Sequence, residues 1–528
     1  MNSRVEMTDG YERSPYAPKF PRNRQGSITE GERRPPLKPD ELDMPRVMDP
    51  RLLTQRSPVF PRLAALGGLT ITALASAAVA LVVTGFLPFD WNRTFSLGAE
   101  KASFESRFSN DASKSAQQLT SPVGLASTAS ADPRITGEHR LQIATAHPVT
   151  ERNSSIRGVM GNEVRFGISA PLTGSAKELG NQMKLGIETA FNRVNGAGGI
   201  NGRQLRLVAA DDGYEPLRAA ETMKQLYENE QVFGFIGNVG TPTAVVALPY
   251  ALERKTLFFG AFTGANLLRR DPPDRYVFNY RASYVEETDA VARYLVKVRG
   301  LRPEQVAVFA QKDSYGDAGF SGVAKAMRAL RGGEEAAILR LDYQRNTVDV
   351  NDAIGRLRAH KIPIKAVVMV ATYRTAAKFI EKTRDLYPSM IYTNVSFVGS
   401  TALADELMLL GPKYANGLIV TQVVPAVDSY ASKILEYKAS LAKYFPGVPP
   451  DYVSLEGYVA GSLLVEGLKR AGPKLDTETL VEALESVRDL DMGLGTLVNF
   501  GPTEHQGSHK VWGTQLNEYG RYEPIDLQ

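Results

Sequence analysis

Two hydroxyl side chains, Thr241 and Thr243, stand between a predicted strand and a predicted helix. The segment Gly240-Thr-Pro-Thr243 separates the apolar run 232–237 from the next amphipathic stretch. Ligands of parallel α/β sheets bind beyond the carboxyl ends of the strands, and free backbone N–H groups at a helix start favour an anion. The pattern predicts a site for a small anion such as a carboxylate. The residues leave open the alternative that Thr241 merely caps the helix.

Residues that carry catalysis or hold metals are scarce in this chain. It has no cysteine and five histidines, which excludes disulfides and thiolate sites. His505 and His509 have a spacing that a helix could turn toward a metal, but a glycine lies between them. The glycine-rich run 196–199 lies between a helix and a strand, the reverse of a phosphate-binding loop. Asp211-Asp212 is typical of strand-end carboxylates, and no serine-elbow motif occurs. We therefore expect no enzymatic activity, no metal and no cofactor.

Short apolar runs alternate with amphipathic stretches from about Asn162 onward. This alternation predicts strand–helix repeats, and hence a parallel sheet with helices on both faces. The repeats run from a strand at 164–170 to one at 256–261. They start again after 276–282 and continue to a strand at 395–399. The sequence therefore predicts an α/β fold with two doubly wound parallel-sheet lobes, followed by three long helices and two terminal strands.

The N-terminal part of the chain differs from this globular region. Residues 1–62 are rich in proline and mixed charges, which predicts a disordered cytoplasmic tail. Residues 63–87 contain no charge and, at about 1.5 Å per residue, are long enough to cross a hydrocarbon core of about 30 Å. Arginines precede this apolar run, so the rest of the chain should lie outside the cytoplasm. Residues 88–160, rich in Ser, Thr and Ala, predict a flexible linker.

Two points stay open for the apolar run. It is either a transmembrane anchor or a cleaved signal peptide, and its length exceeds the ~7–15 residues of a usual signal core. If translation starts at Met48, the segment before the run becomes short and basic. With that start, a cleaved signal peptide becomes a stronger alternative to a transmembrane anchor.

An ordered set of segments resembles the type I periplasmic binding proteins, and in particular the branched-chain amino-acid binding proteins of ABC importers. The segments are 166–174 (FGISAPLTG), 195–202 (NGAGGING), 211–212 (DD), 236–240 (IGNVG), 260–263 (GAFT) and 313–316 (DSYG). The resemblance extends from Val164 to the C-terminus. It implies lobe one at 161–282 with 422–503, and lobe two at 283–421 with 504–528. Three crossover strands would join the lobes, which close on a ligand by a hinge.

The same resemblance implies which residues contact the ligand. Thr241 would bind a carboxylate, while Ala261 and Thr263 would supply a backbone contact and a hydroxyl. Tyr315 and Tyr373 would cover the ligand from lobe two. A tyrosine suits that position because its ring excludes water while its hydroxyl finds a polar partner.

Three positions depart from the family pattern. Tyr284 and Thr401 align where amino-acid binders place carboxylates for the ligand ammonium, and Leu179 aligns with an aromatic residue. A buried ammonium without an anion costs about 3–5 kcal/mol. An α-amino acid would therefore need another partner, with Glu286 or Glu287 the nearest candidates unless both are solvated acids of a first helical turn. An amide, a urea-like compound, an aromatic acid or another carboxylate would not need one.

These observations predict a substrate-binding component of an ABC importer. Its partners would be a small-molecule ligand and the permease and ATPase subunits. One N-terminal helix would hold it in the inner membrane, with the binding domain in the periplasm or outside the cell. The net charge of +4 is small for 528 residues, which argues against nucleic-acid binding. The second hypothesis is a ligand-sensing domain that reports to a separate membrane signalling protein.

Overall fold

The computed structural model describes residues 156–334 and 337–528. Strands alternate with helices along most of this part. The strands are β1 (Glu163–Ala170), β2 (Gln204–Asp211), β3 (Gly234–Ile236), β4 (Phe258–Phe259), β5 (Val277–Phe278), β6 (Val306–Gln311), β7 (Leu339–Tyr343), β8 (Ala366–Val370), β9 (Ile391–Asn394), β10 (Ile419–Gln422), β11 (Leu490–Asp491), β12 (Leu497–Val498), β13 (Trp512–Leu516) and β14 (Tyr522–Ile525). The α-helices are α1 (Lys177–Asn195), α2 (Pro216–Lys224), α3 (Thr241–Glu253), α4 (Tyr284–Arg293), α5 (Ser314–Leu330), α6 (Asn351–Ala359), α7 (Tyr373–Thr383), α8 (Ser400–Leu410), α9 (Pro412–Ala415), α10 (Ser432–Tyr444), α11 (Tyr452–Ala471) and α12 (Thr477–Glu485).

The predicted N-terminal elements fall outside this region. The tail at 1–62, the apolar run at 63–87 and the linker up to residue 155 are not among the described residues. Within the described ranges, none of the helices combines the length and the apolar character needed to cross a membrane.

The first sheet, in the described part of the chain, has five parallel strands in the order β2-β1-β3-β4-β5. Phe166 and Ile168 of β1 are fully buried, because helices cover both faces of a parallel sheet and its strands are nearly continuous apolar runs. The chain winds outward from β1 in both directions, so the strand order reverses between β1 and β3. The crevice at the carboxyl ends of these strands is where such a sheet binds its ligand.

The second sheet has seven strands among the described residues, in the order β14-β13-β10-β9-β8-β6-β7. Strands β6 to β10 are parallel to one another, whereas β13 pairs with β10 and with β14 in the antiparallel direction. The parallel sheet that the sequence predicts is thus extended at one edge by two antiparallel strands. The two strands form a hairpin with a short turn, and a short turn can join only antiparallel strands.

The chain passes between the two sheets three times. It leaves β5 through residues 279–283, returns after β10, and crosses again at 500–511. The first and third crossings lie side by side, since Asn279 pairs with Gln506 in a parallel bridge. We call the first sheet with its helices lobe one and the second sheet with its helices lobe two. Helices α10 and α11 follow the second crossing and pack against α1 of lobe one.

Two glycines let α1 and α11 approach each other closely. A Cβ atom on Gly186 would lie 1.9 Å from the carbonyl oxygen of Ser454, and one on Gly457 would lie 2.5 Å from that of Met183. No larger residue fits at such distances. The close approach makes α11, which is buried along most of its length, a part of the core of lobe one.

The region around residue 397 is arranged differently from the sequence prediction. The predicted strand at 395–399 is instead a short 3-10 turn, Ser396–Val398, between β9 and α8. Gly399 has φ +78°, a backbone conformation that turns the chain into the helix and that glycine adopts easily. Phe397 therefore lies beyond the carboxyl end of β9 and not within the sheet.

Candidate functional site

Four of the predicted binding residues stand at the starts of helices. Thr241, Tyr284 and Tyr373 are the first residues of α3, α4 and α7, and Tyr315 is the second residue of α5. All four side chains are at least 99% buried. Three of these helices follow the carboxyl ends of β3, β6 and β8, and α4 follows the first crossing. The fold thus directs these residues to the space between the lobes, which we call the cleft.

Thr241 and Thr263 form a hydroxyl pair on the lobe-one side of the cleft. Their Oγ1 atoms lie 2.7 Å apart. One O–H serves this bond, the backbone N–H of Ala265 donates to Thr263 Oγ1 at 3.3 Å, and both hydroxyls lie beside the phenol of Tyr284. Gly240 is the N-cap residue of α3, so Thr241 does not have the capping role. Thr243 Oγ1 donates to the carbonyl of Val239 at 2.6 Å and is therefore occupied.

Phe397 lies at the centre of a group of aromatic rings that joins the two lobes. Among the described residues, its ring centre is 4.8 Å from that of Tyr315, 5.0 Å from Phe262, 6.1 Å from Tyr214 and 6.3 Å from Tyr284. These spacings are typical of offset and edge-on aromatic contacts. We call the five residues the aromatic cluster. Since Tyr214 and Phe262 belong to lobe one, the cluster connects the two lobes across the cleft.

Sequence reasoning did not select three members of this cluster. Tyr214 follows the carboxyl end of β2, and Phe262 lies between the predicted residues Ala261 and Thr263. The strand-end rule that selected Thr241 could therefore have found both. Phe397 gave no such signal, because its apolar neighbours predict a strand.

Three buried phenols of the site have no acceptor for their O–H groups: those of Tyr284, Tyr315 and Tyr373. The hydroxyls of Thr241 and Thr263 lie beside the phenol of Tyr284, and the backbone N–H of Glu178 lies beside that of Tyr373. Burial raises the pKa of each phenol, so all three are protonated at neutral pH and able to donate. Buried hydroxyls normally have a partner, and each that lacks one requires an explanation. A bound ligand with hydrogen-bond acceptors would supply the missing partners.

A buried ion pair lies beside the aromatic cluster. Arg281, 1% exposed, donates from Nη2 to Glu287 Oε1 at 2.9 Å and to the hydroxyl of Ser396. Glu287 Oε2 also accepts from the backbone N–H of Ser396 at 2.8 Å and from Oγ1 of Thr421 at 2.6 Å. The guanidinium carbon of Arg281 is 5.1 Å from the centre of the Phe262 ring. Glu287 is thus neutralised and unavailable to a ligand ammonium.

Glu286 is occupied as well. It forms a capping box with Ser283 at the start of α4, and it accepts from Gln506 at 2.9 Å and pairs with His509 at 2.7 Å. Although burial opposes the effect, hydrogen bonds from His509, Ser283 and Gln506 lower the pKa of Glu286 to about 2. Neither Glu286 nor Glu287, the two acids predicted as partners of a ligand ammonium, is therefore free to bind one.

Polar contacts at the rim of the cleft connect the lobes. Arg345 of lobe two donates to Glu215 of lobe one at 2.8 Å and to Asp313 at 3.1 Å. Asn346 donates to Glu215 at 2.6 Å and accepts from the hydroxyl of Ser175 at 3.0 Å. We call these bonds the rim contacts. They hold the two lobes together in a closed arrangement.

The remaining predicted positions lie around this centre. The carbonyl of Ala261 accepts from the backbone N–H of Thr263 at 2.8 Å, which helps to orient that residue. Leu179 lies against Gly399, where a Cβ atom would be 2.6 Å from Leu179 Cδ2. Thr401 is half-buried in the first turn of α8 and donates to Asp451. The contacts of Thr401 therefore place it with the start of α11 and not with the aromatic cluster.

The two histidines with metal-like spacing have separate partners. His505 Nδ1 is 2.8 Å from the carbonyl of Val277, and its ring stacks on Phe278 with 3.8 Å between ring centres. His509 pairs with Glu286 instead. In residues 156–334 and 337–528 there is no group of three or more His, Asp or Glu side chains that could hold a metal ion.

Comparison with known proteins defines the class of this chain. A family model described as "Periplasmic binding protein" matches residues 163–521. The chain belongs to the type I periplasmic binding proteins, within the branched-chain amino-acid binding family. Members of this family are substrate-binding proteins and not enzymes.

Individual relatives agree with this assignment. The Leu/Ile/Val-binding protein homolog 3 of Brucella melitensis biotype 1 is 27% identical over 337 residues, which cover 63% of this chain and 86% of that protein. The crystal structure of a possible leucine/isoleucine/valine-binding protein from Rhodopirellula baltica SH 1 has a TM-score of 0.66 and 39% identity, covering 71% of this chain and 98% of that one. A solute-binding protein from R. palustris in complex with benzoate has a TM-score of 0.60 and 19% identity, covering 69% of this chain and 96% of that one. At that identity the likeness concerns the fold alone.

Proposed function

We propose that the two lobes capture a small carboxylate in the cleft and that the chain delivers it to an ABC importer. The observation that supports this is the convergence of hydroxyl groups at the cleft: the Thr241–Thr263 pair and the phenols of Tyr284 and Tyr315. A carboxylate accepts about four hydrogen bonds. The N-terminus of α3 adds a partial positive charge beside Thr241.

The relatives support the same chemistry. The Brucella protein is named as a Leu/Ile/Val-binding protein homolog, and the Rhodopirellula structure as a possible leucine/isoleucine/valine-binding protein. Leucine, isoleucine and valine each have a carboxylate. A carboxylate is therefore the group that a common binding mode would recognise.

The main test is a substitution that removes one donor. Thr241→Val keeps the shape of the side chain but deletes its hydroxyl, and we expect it to weaken carboxylate binding about 10- to 100-fold. Thr189→Val is the matched control, because that buried hydroxyl donates within α1 to the carbonyl of Leu185 at 2.8 Å. Isothermal titration calorimetry with a panel of small carboxylates and the corresponding amides measures both. Equal affinities for Thr241→Val and the wild type would place the ligand elsewhere.

Delivery and anchoring need separate tests. The proposed partners are the permease and ATPase subunits of the importer, and residues 63–87 would hold the chain in the inner membrane with both lobes outside the cytoplasm. Deleting 63–87 should move the protein from the membrane fraction to the soluble fraction. Deleting the whole chain should abolish uptake of the radiolabelled ligand. Uptake that persists would favour the sensing function instead.

A further inference from the structure

Phe397 of lobe two packs directly against lobe one. It is fully buried, and its ring centre lies 5.0 Å from that of Phe262 and 6.1 Å from that of Tyr214, both in lobe one. Leu179 of lobe one also lies against Gly399, in the turn that carries Phe397. This turn is therefore in contact with lobe one, and because protein interiors are close-packed, its side chains limit how closely the lobes approach.

Hydrogen bonds fix the backbone beside Phe397. The preceding residue, Ser396, donates from its backbone N–H to Glu287 Oε2 at 2.8 Å, and its hydroxyl bonds to Glu287 and Arg281. Glu287 is itself bonded to Arg281 at 2.9 Å and to Thr421 at 2.6 Å. Buried hydrogen bonds to charged groups are strong, so the ring does not move aside unless this network breaks.

The residues proposed to hold the carboxylate lie next to this ring. The phenol of Tyr284 lies beside the hydroxyls of Thr241 and Thr263, and its ring centre is 6.3 Å from that of Phe397. The ring centre of Tyr315 lies 5.3 Å from that of Tyr284 and 4.8 Å from that of Phe397. A ligand whose carboxylate accepts from these hydroxyls therefore has the rest of its body close to Phe397.

We propose that Phe397 determines the largest ligand body that the cleft accepts. This role rests on the proposed capture of a carboxylate and concerns the rest of the molecule. A body that extends past Tyr284 and Tyr315 meets a ring whose backbone is fixed and which also touches Phe262. A larger body fits only if the lobes separate, and separation breaks the rim contacts.

Two ligand series of increasing body size test this role with the full chain. One series is propanoate, 3-methylbutanoate, 4-methylpentanoate and 3-phenylpropanoate. The other is L-alanine, L-valine, L-leucine and L-phenylalanine, which add an amino group to the same four bodies. Every member has a carboxylate, so within each series only the body varies. Titration calorimetry measures the affinity of each member for the wild type and the variants.

Phe397→Ala removes the ring, and Phe397→Leu removes part of its volume. We expect Phe397→Ala to shift the ratio of affinities between the largest and the smallest member at least about tenfold in favour of the largest, because one methylene in an apolar pocket already changes affinity by that factor. Phe397→Leu should give a smaller shift in the same direction, and it decides the question if Phe397→Ala does not fold. Unfolding midpoints without ligand show which variants fold.

Phe309→Leu is the matched control. Phe309 is a fully buried ring of lobe two that stacks on Phe379 with 4.2 Å between ring centres, outside the aromatic cluster. Its replacement should lower the unfolding midpoint and leave the ratio of affinities unchanged.

The outcomes separate this role from the proposed function. If the folded Phe397 variants change the affinity of every member by the same factor, or leave all affinities as they were, the ring does not select ligands by size. The proposed role is then overturned, while carboxylate capture stands. If neither the wild type nor any variant binds a member of either series, carboxylate capture fails and the role of Phe397 fails with it.

Discussion

The buried carboxyl of Glu456 predicts a specific pH dependence of stability. This residue lies on α11, is 4% exposed, and has Oε1 3.5 Å from Nη1 of Arg281. Burial raises the pKa of Glu456 from 4.5 to about 7, and Glu287 adds to this rise, while Arg281 and Arg269 oppose it. In the folded protein the group therefore keeps its proton up to nearly neutral pH.

The pKa difference sets both the size and the sign of the effect. One pKa unit corresponds to about 1.4 kcal/mol, so the change in pKa of Glu456 corresponds to roughly 3 kcal/mol. Between pH 4.5 and about 7 the folded state binds more protons at this group than the unfolded state does. Its contribution to the free energy of unfolding is therefore fully present below pH 4.5. It is lost as the pH rises to about 7 and changes no further above that value.

Glu456→Gln isolates this contribution. Urea unfolding at several pH values should show the wild type losing roughly 3 kcal/mol relative to this variant as the pH rises from acidic to slightly alkaline. Glu466→Gln is the control on the same helix, since that side chain is 33% exposed and pairs with Arg470 at 2.9 Å. The control should differ from the wild type by no more than about 0.5 kcal/mol at any pH. Parallel pH profiles for the wild type and Glu456→Gln would refute the reasoning.

Two further substitutions test closure of the lobes. Arg345→Met removes the rim contact with Glu215, and we expect ligand binding to be about fivefold weaker. Small-angle X-ray scattering should also show a larger radius of gyration. The control is Arg340→Met, whose partners lie within lobe two and which should change neither quantity. Gly399→Ala introduces a Cβ atom 2.6 Å from Leu179 at φ +78°, so it should prevent full closure and weaken binding at least about tenfold. Adding Leu179→Ala should restore part of that affinity, and its failure to do so would show that backbone strain at Gly399 is the main cause.

Much of the fold could be predicted from the sequence because its signals are local. The strand predicted at 366–370 is β8, and the helix predicted at 453–470 is α11 with one more residue at each end. Buried parallel strands are continuous apolar runs, and long helices repeat every 3.6 residues, so short windows reveal them. The alternation at Val395 and Phe397 also resembles a strand, and only packing against the aromatic cluster distinguishes it from one.

The site could be predicted in part for a similar reason. Thr241 and Tyr315 follow strands, so the strand-end rule points to them without knowledge of the tertiary fold. The hydrogen bonds that Glu287 accepts could not be predicted, because the donors Ser396 and Thr421 are distant in the sequence and contact it only when lobe two folds. Single-sequence reasoning finds the groups that a cleft contains, but it does not show which of them are already bonded to other residues.

The packing of α1 against α11 has a consequence for the order of folding. Helix α1 precedes the whole of lobe two in the chain, and α11 follows the second crossing. The core of lobe one therefore stays incomplete until residues 452–471, in the last quarter of the chain, have been synthesised. Contacts between such distant segments form slowly, because a long loop must close before they are made. Strands β6 to β10 of lobe two are contiguous, so we expect them to assemble earlier and to precede the completion of lobe one.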